Sequence, residues 1–224
     1  MSQAHEFIRF AVETGVLKFG DFKTKAGRLS PYFFDAGLFF EGRTLGRLAG
    51  FYAERLLEAE ADGAPAFDML FGPAYKGITL ASSMAVALAA RGRNMPFAFN
   101  RKEVKDHGEG GDVIGAPLAG RVVIVDDVIS AGTSVDQSVA LIEARGARCA
   151  AVVIALDRME RGGDAVHVTG TSAVQQVRDR YGLPVYAIAT LDDLLEFLED
   201  PHQADFGHTA HRARIADYRS RFGT

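Results

Sequence analysis

The stretch Val122 to Ser134, Val-Val-Ile-Val-Asp-Asp-Val-Ile-Ser-Ala-Gly-Thr-Ser, constrains the fold more than any other part of the chain. Four β-branched residues in succession, with Gly120 before them and two carboxylates after, fit a strand buried on both faces of a parallel sheet better than a helix. Asp126 and Asp127 then fall at the strand's carboxyl end. Ser130 to Ser134 is small, hydroxyl-rich and glycine-bearing, and it runs into the helix-compatible segment Val135 to Arg145. Such a loop turns successive amides towards one point at a helix N-terminus, where the dipole favours an anion. The pattern is a phosphate cradle beside two acids.

Two carboxylates next to a phosphate repel it unless sugar hydroxyls or a Mg²⁺ ion intervene. A sugar phosphate with vicinal hydroxyls and a metal satisfies both conditions. The motif is not a P-loop, since no Gly-Lys-Ser/Thr follows, nor a dinucleotide Gly-x-Gly-x-x-Gly. A buried strand with one aspartate capping a helix is the simpler alternative, but it leaves the second acid and the small-residue loop unexplained.

At 224 residues the chain has room for one sizeable α/β domain with an appended subdomain. A net charge of −4 gives no general attraction to nucleic acid or anionic membrane, so any anion site must be built from local cations. The single cysteine, Cys149, excludes an internal disulfide and a cysteine-rich zinc site, and it lies in an apolar run that reads as core. No basic segment followed by an apolar signal core opens the sequence. Ile78 to Ala90 is too short to span a bilayer, and a cytoplasmic protein is expected.

In chain order, residues 2–14 read as a short amphipathic helix with Ser2 as N-cap, closed at Gly15. Val16 to Phe34 alternates and turns at Ala26-Gly27-Arg28, as a small hairpin outside the main sheet would. Lys23 and Lys25 share a face of it, turned either into a cleft or to solvent. Thr44 to about Glu60 reads as a helix with Thr44 as N-cap. Phe67 to Phe71 is a buried strand, Gly72-Pro73-Ala74-Tyr75-Lys76-Gly77 a tight loop, and Ile78 to Ala90 a small-residue helix. A lysine at the positive end of a helix dipole is unfavourable unless an anion is present, which favours a binding role for Lys76 over a solvated one.

Pro96 to Phe99 is the next strand. Asn100 to Asp112 then has one apolar residue in thirteen and three glycines, and is expected to be an exposed loop, either a lid or merely solvated. Ala147 to Leu156 is a further buried strand. Just beyond it Arg158 either forks onto a planar carboxylate or imide, or pairs with Asp157 or Glu160. Thr171 to Tyr181 reads as a helix closed by Gly182, Val185 to Ala189 as the last strand, Leu191 to Glu199 as a helix, and 201 onward as a polar terminal helix. His202, His208 and His211 are too loosely spaced for a metal site.

Taken together these segments resemble the orotate phosphoribosyltransferase family, within the type I phosphoribosyltransferases. Lys25 with Ser30-Pro31-Tyr32-Phe33-Phe34-Asp35-Ala36-Gly37 is similar to the family's N-terminal hood, in which the backbone at Phe33 and Phe34 holds the pyrimidine. Gly72 to Gly77 resembles the diphosphate loop, which implies roles for Tyr75 and Lys76. Arg101, Lys102, Lys105 and His107 match the mobile loop that closes over the other subunit's site. Asp126, Asp127, Val128, Ile129, Ser130, Ala131, Gly132, Thr133 and Ser134 match the ribose-phosphate motif, and Asp157-Arg158 the strand-end pair whose arginine meets orotate. Two departures stand out: Ser130 where the family has threonine, and a longer connection from Gly162 to Gly170, expected to be an exposed hairpin without an assigned role.

The resemblance implies an α/β fold with a mainly parallel central sheet flanked by helices, a helix and hood over 1–40, and a core over 41–224 carrying a mobile loop at 100–115. It implies a homodimer that shares the loop, and Mg²⁺ held mainly through substrate and water rather than by protein ligands. The substrates implied are 5-phosphoribosyl-1-diphosphate and orotate, with Asp126, Asp127, Lys105 and Lys76 closest to the chemistry and Ser130 and Arg158 against orotate. A phosphoribosyltransferase for another base and a non-catalytic phosphoribosyl-diphosphate sensor are the rival readings. The hood and Arg158 argue against the first, the negative charge and the cationic loop against the second.

Overall fold

Val122, Val123, Ile124 and Val125 are completely buried, because helices cover both faces of the strand they form. In the computed structural model, which describes residues 2–105, 111–130, 132–200 and 208–224, that strand is β6 (Arg121–Asp126). It lies inside a six-stranded sheet of order β10-β7-β6-β3-β4-β5. The other strands are β3 (Met69–Gly72), β4 (Phe97–Lys105), β5 (Gly111–Gly115), β7 (Arg148–Asp157) and β10 (Val185–Thr190). All pair in parallel except β5, which runs antiparallel at the edge beside β4. From β3 the chain continues to β4 on one side, whereas from β6 it continues to β7 on the other. The loops after β3 and β6 therefore diverge across a crevice at the strands' carboxyl ends, where open α/β sheets bind ligands.

One apolar layer packs α1 (Gln3–Glu13), α2 (Gly42–Ala61), α3 (Lys76–Ala89) and α6 (Leu191–Phe197) on one sheet face. A second packs α4 (Thr133–Glu143) and α5 (Ala173–Tyr181) on the other. Ser2 caps α1 by accepting from the His5 N–H, and Gly15 beyond it adopts φ 69°, as the sequence predicts. Ser172–Gln175 and Thr190–Asp193 form capping boxes that fix the starts of α5 and α6. Thr44 is not an N-cap: α2 starts at Gly42, and the Thr44 hydroxyl donates to the Glu41 carbonyl from inside the first turn. Four polar or glycine positions preceding Leu45 hid this early start.

The hood is the antiparallel pair β1 (Leu17–Lys23) and β2 (Leu29–Phe34). It packs on α7 (His208–Phe222), with Tyr32 edge-on to Tyr218. The expected hairpin near 162–170 is present as β8 (Arg161–Gly163) and β9 (Val168–Ser172). It has a structural task that the sequence does not reveal. The buried Arg28 donates from Nη1 to the Arg161 carbonyl, from Nη2 to that of Gly162 and from Nε to that of Asp164, at 2.7, 3.0 and 3.1 Å. Its guanidinium also lies over the Phe222 ring, so hood, hairpin and last helix meet at one arginine.

Residues 100–105 and 111–112 depart from the expected irregular loop. β4 runs on to Lys105 and β5 begins at Gly111, with Phe99 opposite Ile114, Asn100 opposite Val113 and Lys105 opposite Gly111. An edge hairpin with polar residues on both faces has no apolar alternation to announce it. His107 lies outside the described residues.

Candidate active site

The β3–α3 loop is shaped by two glycines. A Cβ on Gly72 would sit 1.9 Å from the Gly77 carbonyl oxygen, and one on Gly77 would sit 2.6 Å from the Pro73 ring. Only hydrogen fits at either place. The loop holds a cis peptide between Ala74 and Tyr75, and the Ala74 N–H donates to Asn100 Oδ1 at 2.7 Å, tying it to β4. Tyr75 is exposed, with the Lys102 ammonium 4.7 Å from its ring centre.

Lys76, first residue of α3, reaches across the crevice to Asp127 Oδ2 at 2.7 Å. Its ammonium also lies 3.6 Å from Asp35 of the hood. Partial burial draws its pKa down, but Asp127 and Asp35 more than offset this and hold the ammonium above its ordinary value. Behind it, Asp126 Oδ1 accepts from the Asp127 N–H at 2.9 Å and Oδ2 from the Ser134 hydroxyl at 3.0 Å. The Tyr52 hydroxyl donates to the Asp126 carbonyl at 2.7 Å. Burial, and then the neighbouring Asp127, push the Asp126 carboxyl up to about 7.

The β6–α4 turn follows the strand directly and leads into α4 (Thr133–Glu143), as the sequence suggests. Val128 packs on one core and Ile129 on the other, which pins the turn across the end of the sheet. Ser130 is exposed, Gly132 has φ 74° and forms the N-cap of α4, and no side chain caps the helix there. Among the described residues the first amides of α4 therefore have no side-chain cap. Ala131 lies outside the described residues.

A second cluster sits under the hood. Arg158, past the end of β7, donates from Nε and Nη2 to Glu160 Oε1 at 2.9 and 2.6 Å. Its Nη2 also lies 3.4 Å from Ser30 Oγ, and the guanidinium is 5.0 Å from the centre of the Tyr32 ring. The pairing with Glu160 that spacing left open is thus formed. Phe33 is exposed and stacks on Phe22, whereas Phe34 is buried against Phe7.

The structure brings together Lys76, Asp126, Asp127 and Ser134, and in a neighbouring group Ser30, Tyr32 and Arg158. It does not bring Lys25 to them: that residue is exposed in the β1–β2 turn and forms no hydrogen bond or ion pair among the described residues. Arg101 and Lys102 lie on β4, while the Lys105 side chain is outside the described residues. Sequence reasoning gave no role to Asp35, Tyr52 or Asn100, and named Glu160 only as an alternative partner of Arg158. Asp35 closes the hood motif, and a carboxylate directly after a strand was its one available signal.

A parallel sheet with diverging loops, an acid pair leading into an uncapped helix start, and a lysine loop opposite define a phosphoribosyltransferase. In agreement, the phosphoribosyl transferase domain family matches residues 41–177. Orotate phosphoribosyltransferase of Ralstonia nicotianae is 61% identical over 100% of this chain and 98% of its own. That of Bordetella pertussis is 58% identical over 99% and 97%. The crystal structure of orotate phosphoribosyltransferase from Francisella tularensis superposes with a TM-score of 0.81 at 35% identity, over 98% of this chain and 100% of that one. The chain belongs to the orotate phosphoribosyltransferase family.

Proposed function

We propose that the groups at the ends of β3 and β6 carry the family's reaction, transfer of the 5-phosphoribosyl group from 5-phosphoribosyl-1-diphosphate to orotate. The product is orotidine 5′-phosphate, in pyrimidine biosynthesis. The observation that carries this is the Lys76–Asp127 contact of 2.7 Å across the crevice. It sets a diphosphate-binding cation against a hydroxyl-binding acid within one sugar's reach. The 5-phosphate takes the amides of Ser130 to Ser134. The ribose hydroxyls donate to Asp126 and Asp127, and the diphosphate draws Lys76 off Asp127 towards itself.

Breaking the C1–O bond leaves positive charge on the ribosyl group and negative charge on the departing diphosphate. Positioning and charge stabilisation then supply the catalysis, with no protein nucleophile. Asp126 and Asp127 stabilise the first charge. Lys76, with Arg101, Lys102, Lys105 and His107 of the segment 100–112, stabilises the second, and Tyr75 lines its path. Orotate sits under the hood, held by the backbone at Phe33 and Phe34, by Ser130 and by Arg158, while Lys25 joins the groups that bind the phosphoribosyl donor.

Mg²⁺ fits this donor set. Both Asp126 oxygens are engaged and Asp127 is paired with Lys76, so these acids would hold a hard cation through water and substrate oxygens rather than directly. When bound, the ion neutralises diphosphate charge. The homodimer, the sharing of the hairpin between subunits, the division at residue 40, the mobility of 100–115 and a cytoplasmic location complete the proposal. No helix among the described residues is long and apolar enough to cross a membrane.

Diphosphate release from the donor should require orotate and Mg²⁺, and hypoxanthine or uracil should not replace orotate. Turnover with a purine alone would overturn the assignment of the base.

A further inference from the structure

The guanidinium of Arg158 is held closely on one edge, and on the other only Nη2 has a partner among the described residues, Ser30 Oγ at 3.4 Å. Nε and Nη2 are taken by a single oxygen, Glu160 Oε1, at 2.9 and 2.6 Å, and the same oxygen lies 3.3 Å from the Tyr32 hydroxyl. Nη1 has no hydrogen bond to protein among the described residues, although the Arg158 side chain is only 19% exposed. A guanidinium offers a side edge, Nε with Nη2, and an end edge, Nη1 with Nη2, each able to fork onto a planar acceptor. Here the side edge is occupied, while on the end edge Nη1 has no protein partner among the described residues and Nη2 has only the long 3.4 Å contact to Ser30 Oγ.

We propose that Glu160 is a positioning residue for the base: its carboxylate clamps the side edge of Arg158 so that the end edge is presented to the carboxylate or imide of the incoming pyrimidine. The role rests on the assignment of Arg158 to orotate made above.

The surroundings fix the clamp from below. Met159, between the two residues, has φ 50°, and its N–H donates to Asp157 Oδ1 at 2.8 Å. The Met159 carbonyl accepts from the Thr224 N–H at 2.9 Å, and Glu160 forms a backbone bridge to Gly223. The Tyr32 ring closes the face of the guanidinium. Burial opposes the charge on Arg158, but Tyr32 and Glu160 more than offset it and hold the group protonated throughout the working range. Glu160 thus permits a buried cation and decides which way it faces.

Geometry, not charge, is the claim, and substitutions that separate the two test it. Glu160→Gln keeps an oxygen in place without the charge, while Glu160→Asp keeps the charge but withdraws the oxygen by one methylene. Steady-state kinetics should show KM for orotate raised about tenfold or more in Glu160→Asp and Glu160→Ala, and within about threefold of the parent in Glu160→Gln. KM for the phosphoribosyl donor should stay within about twofold in all three. An unchanged orotate KM in Glu160→Asp, a loss in Glu160→Gln as large as in Glu160→Ala, or equal rises in both KM values would overturn the proposal. Arg158→Ala run alongside separates the two levels. If it raises orotate KM while the Glu160 variants do not, only the clamp is wrong; if it does not, the placement of orotate on Arg158 is wrong as well.

Discussion

Lys76 and Asp127 form an ion pair between the first residue of α3 and the end of β6, two points 51 residues apart in sequence and 2.7 Å apart in space. The Lys76 side chain is 49% exposed, so the pair contributes little to folding, about 1 kcal/mol or less. In the reaction the same ammonium faces a multiply charged leaving group. Lys76→Ala should therefore lower kcat/KM for the phosphoribosyl donor by about 100-fold or more, with only a small change in melting temperature. Donor titrations and thermal unfolding of the same preparation check this, and parallel loss of stability and activity would contradict it.

Asp126 predicts a pH dependence with a definite sign. Its carboxyl is raised from an ordinary 3.8 to about 7, so between those values the folded protein binds more protons than the unfolded chain. Stability should accordingly fall as pH rises through that window and level off above it. Asp126→Asn should remove this contribution, seen as a flatter dependence of urea-unfolding free energy on pH. In kinetics, kcat/KM for the donor should show an acid limb near 7 that belongs to the Asp126–Asp127 pair. Since the Ser134 hydroxyl supports the charged form, Ser134→Ala should move that limb to higher pH.

The strand ends and the acid pair were legible because each rests on local chemistry: a β-branched run, two carboxylates, then small residues before a helix. The hairpin 161–172 was legible as a hairpin, but its link to Arg28 was not, since the contacts join residues 133, 134 and 136 positions apart. Lys25 is assigned to the donor by the resemblance alone, and its backbone places it at an exposed turn. Asn100 and Asp35 escaped because each serves a loop from another element, and only the folded sheet reveals that.

Gly72 predicts a loss of both fold and function. Its missing Cβ leaves room for the Gly77 carbonyl at the start of α3, where a methyl would lie 1.9 Å away from that oxygen. Backbone must move, and Gly72→Ala should destabilise by roughly 2–3 kcal/mol or more in denaturant unfolding. Activity should fall further than stability alone explains, because Lys76 moves with the loop.

Sharing of the β4–β5 hairpin between subunits predicts complementation. Lys105→Ala and Asp127→Asn chains, each inactive alone, should regain part of the activity when mixed under conditions that exchange subunits. Demonstrated exchange with no recovery would place Lys105 in its own subunit's site.

The most direct measurement is a crystal structure with the phosphoribosyl donor and Mg²⁺ bound. The expected result is a 5-phosphate on the amides of the Ser130–Ser134 turn, ribose hydroxyls on Asp126 and Asp127, and Lys76 moved from Asp127 to the diphosphate. A donor bound elsewhere, with that turn empty and Lys76 still on Asp127, would contradict the account.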